Sequence, residues 1–264
     1  LFGIPNFYHR FGFTTTLSDY ATIVRVPEIA EAGPPDCKVR PGKPGDIRAI
    51  QRIHNANDSE TACSIVRTAA HIGNQWERWK DVRVITDPQG AVAGYFLPRQ
   101  ADDELVVEEA GVTGRAICAA LLSACARQAA DACLPRIRLR VPPPHPLGRY
   151  LLEFQSVHEM RTHRNGEGMM AFVSLGETLE SMIPEWESRL ARHAARAYRT
   201  EATLVVDGAP YRVRANRGAI DIANTPGKNK FGCSAAELMH LVTGFRFLDD
   251  VAHLLEGLFP FGRA

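Results

Sequence analysis

Few residues in this sequence have the types and spacing to do chemistry. The foremost is Tyr8, within Gly3-Ile4-Pro5-Asn6-Phe7-Tyr8-His9-Arg10-Phe11-Gly12-Phe13. A tyrosine phenol, with an ordinary pKa of about 10, is protonated at pH 7 and can supply a proton to a departing anion. The aromatic residues around Tyr8 suit the closing end of a domain, and Gly12 allows a sharp turn into the next strand. The one glycine-bearing loop ahead of a helix that could cradle an anion is Gly111-Val112-Thr113-Gly114-Arg115-Ala116. His158-Glu159-Met160-Arg161-Thr162-His163 only approaches the zinc motif H-E-x-x-H. Its histidines are five apart and cannot share a helix face.

The cysteines, at 37, 63, 118, 125, 133 and 233, form no C-x-x-C pair and no zinc spacing, so no metal site is expected. Reduced, structural thiols are the ordinary outcome and favour a cytoplasmic setting. Arginines 189, 192, 196, 199, 212, 214 and 217 are interspersed with Glu185, Glu187 and Glu201, which reads as a solvated face rather than a phosphate patch. A net charge of +1 gives no bias toward nucleic acid, and the apolar run Ala116–Ala126 is too short to span a bilayer.

The elements that must position these residues follow from periodicity. Residues 14–26 read as strand, and residues 27–45 collect Pro and Gly as a linker. Beyond it come a helix from Asp46, a helical stretch from Ser59 to Trp79, and strands 82–85 and 91–97 about Asp87-Pro88-Gln89-Gly90. Next are strand 105–109, an apolar helix 115–130, the alternating strand Arg136–Val141, a short helix 147–154 and a strand 169–175. A further unit begins with helix 178–198, in which Pro184 conflicts with the helical pattern. It continues with a hairpin about Asp207-Gly208, a short strand 219–222, a helix from Ser234 to Gly244 and a last helix 249–258.

Phe7-Tyr8-His9-Arg10-Phe11-Gly12 resembles the signature near the end of the acetyl-CoA-dependent N-acetyltransferase (GNAT) fold. Laid over Tyr150-Leu151-Leu152-Glu153-Phe154-Gln155 it gives a degenerate internal repeat, with Leu151 in place of Tyr8. The whole chain is similar to the Eis-type acetyltransferases, also through Gly166-Glu167-Gly168-Met169-Met170 and Leu241-Val242-Thr243-Gly244-Phe245.

The resemblance implies an α/β (α+β) chain with a GNAT-like mixed sheet flanked by helices, then a smaller sterol-carrier-like α+β domain. Its parts would be the remnant of a first acetyltransferase lobe (1–30), a degenerate second lobe (31–175) and the sterol-carrier-like domain (176–264). It implies acetyl transfer from acetyl-CoA to small-molecule amines resembling aminoglycosides or polyamines, in a homo-oligomer. By it, Tyr8 is the general acid, the carboxylate of Ala264 is the base, and Asn6, Gly114 and Ala116 touch the cofactor. Gly111 departs from the Gln or Arg that leads the anion loop in that fold. With most of the first lobe expected upstream of residue 1, the chain alone would be catalytically incomplete. The competing expectation is a non-catalytic binding or assembly module with an apolar ligand site in the last domain.

Overall fold

The computed structural model describes residues 2–29, 37–59, 61, 63–192 and 199–246. Residues 18–162 form one unit, and residues 1–17 with 163–264 form another. Strands β1 (Phe2–Gly3) and β2 (Thr14–Leu17) belong to the latter.

The 18–162 unit begins with β3 (Asp19–Arg25), α1 (Val26–Ile29), β4 (Lys38–Pro41), α2 (Ile47–Asn57) and α3 (Ala69–Asn74). It continues with β5 (Arg83–Thr86), β6 (Val92–Ala101), β7 (Glu104–Val112) and α4 (Arg115–Asp131). It closes with β8 (Arg136–Leu139), α5 (Pro146–Leu151) and β9 (Ser156–Arg161). The seven strands form one mixed sheet in the order β4-β5-β6-β7-β8-β3-β9. Neighbours are antiparallel except β7 and β8, which run parallel. This is the mixed α/β class expected.

Local pattern explains the layers. In β8, Ile137 and Leu139 are fully buried while Arg136 and Arg138 point to the other face. Helix α4 is buried over most of its surface and packs Leu121, Leu122 and Cys125 with Leu105, Val107, Ile137 and Leu139. Helix α2 is amphipathic: Ile50 and Ile53 join Ile72, Trp79, Val84 and Tyr95 in a separate cluster. Each fully buried side chain of this size stabilises by about 1.5–3 kcal/mol.

Strand β7 is irregular at one position. Leu97 opposes Glu109 while Pro98 opposes Val107, so Glu108 is an extra residue on β7. Such a bulge shifts the alternation of the strand. Leu105 and Val107 pack with α4 before it, whereas Ala110 and Val112 do so after it. Glu109 and Gly111 are thereby turned toward α2.

Three elements differ from the sequence reading. Strand β3, expected in a remnant ending at residue 30, pairs with β8 and β9 inside the seven-stranded sheet. The strand expected at 169–175 is β10 (Glu167–Met170), which pairs with β1 and β2 in the other unit. The sheet instead ends with β9, an edge strand exposing Val157 and Met160 and so lacking the apolar face that marks a strand in sequence. The helix expected from Ser59 to Trp79 is limited to α3 and a 3-10 turn at Trp76–Trp79. Residues 64–68 are irregular, and Arg67 among them pairs with Glu109.

In the other unit, the three-stranded sheet has the order β1-β10-β2. It is followed by α6 (Leu175–Ser181), α7 (Ile183–Arg192), β11 (Arg199–Val206), β12 (Ala209–Asn216), β13 (Ala219–Ala223), β14 (Lys230–Cys233) and α8 (Ala235–Thr243). The second sheet has the order β13-β12-β11-β14, with β14 parallel to β11. Pro184 falls in the first turn of α7, where its missing N–H costs nothing, so the apparent conflict is a helix start. Ser234 and Glu237 form a capping box on α8. The helix expected at 249–258 lies outside the described residues. Among those described, no helix is long and apolar enough to cross a membrane.

Candidate functional site

Tyr8 begins a 3-10 turn, Tyr8–Phe11, that ends at Gly12 in the left-handed region (φ 82°) and leads into β2. This is the sharp turn expected. The Tyr8 ring is half-buried, with Phe7 edge-on at 4.9 Å between centroids and Phe13 at 6.1 Å. Gly3 of β1 lies against it so closely that a Cβ there would come within 2.8 Å of the ring. The glycine lets the strand flank the phenol directly. Among the described residues no hydrogen bond engages the Tyr8 hydroxyl, which leaves it available to a ligand.

Asn6 sits two residues before Tyr8 at φ 60° and is exposed. Its backbone N–H donates to the Asn165 carbonyl at 2.8 Å, and its side-chain oxygen accepts from Asn165 at 3.2 Å. The structure thus brings Asn6 and Tyr8 together on one anchored turn. The same stretch exposes Phe2, Ile4, Phe7 and Phe11 at 73%, 66%, 47% and 66%, an apolar surface of the kind that contacts other groups. Ala264 lies outside the described residues.

Gly114 and Ala116 lie in the 18–162 unit, both exposed, where Gly114 caps the N-terminus of α4. Gly111 stands where the resemblance leads one to expect a long side chain, and packing explains why. A Cβ on Gly111 would fall 2.4 Å from the Tyr95 ring and 2.8 Å from Ile53. Beside the loop, Arg115 forms a two-pronged ion pair with Glu153 and stacks over Tyr150 at 4.9 Å. Leu151, which the sequence reading lays over Tyr8, is fully buried. The aligned aromatic pairs match in spacing, Phe7–Phe11 at 5.7 Å and Tyr150–Phe154 at 5.5 Å.

Past the bulge, β7 carries an edge that β8 does not pair. The last bond between the two is from Arg140 N–H to the Val107 carbonyl, at 3.0 Å. Beyond it, side chains complete the edge. Asn57, the last residue of α2, donates to the Val112 carbonyl at 2.8 Å and accepts from its N–H at 2.7 Å. The His145 ring, only 2% exposed, accepts from Leu147 N–H at Nδ1 (3.1 Å). Burial pushes the His145 pKa down to about 4, so the ring is neutral at pH 7.

A buried polar cluster that the sequence did not reveal lies on the α2 side of β7. Glu109 accepts from the Tyr95 hydroxyl at 2.8 Å and from Arg67 at 2.7 Å on both oxygens. His54 Nδ1 is 3.5 Å from Glu109, and its Nε2 is 3.2 Å from the Ile65 carbonyl and 3.4 Å from Asp58. Burial alone would raise the Glu109 pKa. Hydrogen bonds from His54, Arg67 and Tyr95, with the Arg67 charge, outweigh it and hold the carboxyl below its usual range. The Arg67–Glu109 ion pair fastens the stretch around residue 67 to β7. Only two glutamates in succession on a strand hinted at it, because its members are spread from residue 54 to 109. His158, from the near-zinc spacing, lies on β9 with its ring nitrogens used by Thr22 and Ser156.

No protein-family model matches the sequence, and no curated protein matches it either. Solved structures do match its fold. A conserved Enterococcus faecalis protein of unknown function, a probable N-acyltransferase, aligns with a TM-score of 0.69 at 9% identity over 95% of this chain and 63% of its own. A GCN5-related N-acetyltransferase from Anabaena variabilis gives 0.65 at 13% identity, over 94% of this chain and 62% of its own. One from Kribbella flavida gives 0.64 at 14%, over 94% and 60%. The chain therefore has the fold of GCN5-related N-acetyltransferases and spans about three-fifths of the length of these relatives.

Proposed function

From that fold we propose that this chain is the part of an amine N-acetyltransferase that carries its proton-donating tyrosine, with acetyl-CoA as co-substrate. The observation that supports this most is Tyr8: a phenol on an anchored turn, flanked by Gly3 and Phe7, its hydroxyl without a partner among the described residues. In acetyl transfer an amine nitrogen bonds to the thioester carbon, the carbon–sulfur bond breaks, and the leaving sulfur needs a proton. Tyr8 holds that proton at its phenol oxygen. Asn6 beside it lends an amide to the cofactor, and the Ala264 carboxylate takes the proton that the amine loses. The acceptors are small-molecule amines of the polyamine or aminoglycoside kind, and the working protein is a homo-oligomer. The exposed Phe2, Ile4, Phe7 and Phe11 are the surface that the remainder of the catalytic lobe covers.

The test uses the gene extended upstream of residue 1, assayed with acetyl-CoA against a panel of polyamines and aminoglycosides. Acetylation by the extended protein, lost in its Tyr8→Phe variant, is the expected result. No acetylation of any acceptor overturns the proposal. The alternative, a carrier of apolar ligands, draws less support. One groove among the described residues, between α6 and β12–β13 and about 360 Å³, is bordered by Glu177, Glu180 and Asn224 as well as Leu175, Tyr211 and Ile222. Its carboxylates make it a poor lipid site. Lipid extraction from the purified protein separates the two readings.

A further inference from the structure

We propose that His240, on α8, is a positioning residue for Tyr8: its imidazole N–H holds the start of β2, and with it the turn that presents the phenol. The proposal rests on the reading of Tyr8 as the proton donor.

A proton donor works only where its O–H is aimed, and a four-residue 3-10 turn has few bonds of its own with which to aim a ring. The Tyr8 turn is held from both ends. At its front, Asn6 N–H is tied to the Asn165 carbonyl. The next residue, Gly166, lies so close to Pro5 that a Cβ would fall 3.1 Å from the Pro5 Cα. At its back, the chain passes through Gly12 and Phe13 into β2, where Thr15 is fastened twice. The Thr15 hydroxyl donates to the Gly166 carbonyl at 3.1 Å and accepts from the Gly166 N–H at 3.2 Å. The Thr15 carbonyl lies 3.0 Å from His240 Nε2, and the same nitrogen is 2.9 Å from the Thr14 hydroxyl.

These partners fix the tautomer. A carbonyl can only accept, so Nε2 carries the proton and Nδ1 is bare. Nδ1 is buried and has no hydrogen-bond partner among the described residues. Burial, with the Arg246 charge, holds the His240 pKa below its ordinary value against the Thr15 bond and Glu237, so the neutral ring prevails at pH 7. His240 is 9% exposed and stacks on Phe245 at 5.0 Å between centroids. Its backbone carbonyl accepts from Phe245 N–H at 2.9 Å. Helix α8 is itself capped at both ends, by Ser234 with Glu237 and by Gly244 at φ 69°. The imidazole is therefore a fixed post.

Two contacts carry its hold to Tyr8. Phe13, which precedes Thr14, turns its ring edge-on to the Tyr8 ring at 6.1 Å. Thr15 opposes Met169 on β10, and the fully buried Met169 lies beside Gly3, the glycine that flanks Tyr8. Aim of the phenol matters in the transition state, so loss of the His240 bond lowers kcat and leaves KM.

The test begins with this chain carrying ring-13C tyrosine, the Tyr8 signal being assigned by its absence from Tyr8→Phe. His240→Phe keeps a ring against Phe245 and loses the N–H, whereas His240→Gln keeps a donor. The Tyr8 signal should move in His240→Phe and hold in His240→Gln. In the protein extended upstream, His240→Phe should lower kcat for amine acetylation about 10–100-fold with KM changed by less than about twofold, and His240→Gln should restore most of the rate. The 15N spectrum of the unmutated chain should show His240 protonated at Nε2 and bare at Nδ1, a readout that needs no variant to fold. The opposite tautomer overturns the proposal, as does an equal loss of rate in both variants. So does an unmoved Tyr8 signal in a His240→Phe protein that keeps the parent's unfolding transition. The ring signals and the tautomer do not depend on whether the extended protein acetylates amines, so this inference and the proposed function can fail separately.

Discussion

Stability between pH 7 and 5 should depend on His145 more than on any other histidine whose titration the structure displaces. Its ring is 2% exposed, and burial takes its pKa from 6.5 to about 4. A folded value below the unfolded one means that the unfolded chain takes up the proton first as pH falls. The contribution is therefore complete above about pH 6.5, declines as pH falls from there toward 4, and is gone below about 4. At about 1.4 kcal/mol per decade the whole contribution is about 3 kcal/mol, of which about 2 kcal/mol is lost between pH 7 and 5. The comparison variant is His145→Asn, which can cap α5 but does not titrate. Trp76 and Trp79 lie in the 18–162 unit and Trp186 in the other, so a Trp186→Phe background makes fluorescence report the first unit alone. Urea unfolding at pH 7 and pH 5 should show the parent losing about 2 kcal/mol more than His145→Asn. Equal losses would refute the reasoning, since they would mean that water reaches the ring.

Other perturbations test other parts. In the extended protein, Tyr8→Phe should lower amine acetylation by about 10²–10⁴-fold, the usual range for a lost general acid, with little change in unfolding midpoint. Gly3→Val should impair that activity too, by pushing the Tyr8 ring off its flank, and the perturbation should be visible in the ring's NMR shifts. Gly111→Ala should cost about 1–3 kcal/mol in urea unfolding, because its Cβ would lie 2.4 Å from Tyr95. Glu109→Gln should cost about 2–3 kcal/mol by leaving the half-buried Arg67 without its anion, and adding Arg67→Met should recover part of the loss.

The sequence discloses structure where local and global demands coincide. Arg136–Leu139 alternates because one face meets α4, Ser234 caps a helix with Glu237, and Asp207-Gly208 turns a hairpin with both residues at positive φ. Tyr8 is legible for the same reason, since its aromatic neighbours and Gly12 are contiguous. Pairings between distant segments are not. Strand β10 joins β1 and β2 across more than a hundred residues, and β14 lies parallel to β11 without any marker in its four residues. His145 reads as part of a rigid loop, because only the fold buries its ring. The Glu109 cluster is invisible for a related reason: His54, Arg67 and Tyr95 sit on three separate segments.

Glu108 adds a single residue to β7, yet it acts as a change of phase for the strand. Upstream, odd-numbered residues face the apolar layer under α4; downstream, even-numbered ones do. Were Glu108 taken into the regular alternation instead of bulged out of it, the Glu109 carboxylate would be carried into that apolar layer and Ala110 turned out of it. Deleting Glu108 would leave each later residue on its present side; flattening the bulge with Glu108 kept is the frameshift in three dimensions, with every residue after it assigned to the wrong side. That cost would fall on all of 109–112 at once, and Asn57 could not find its partner by a local adjustment.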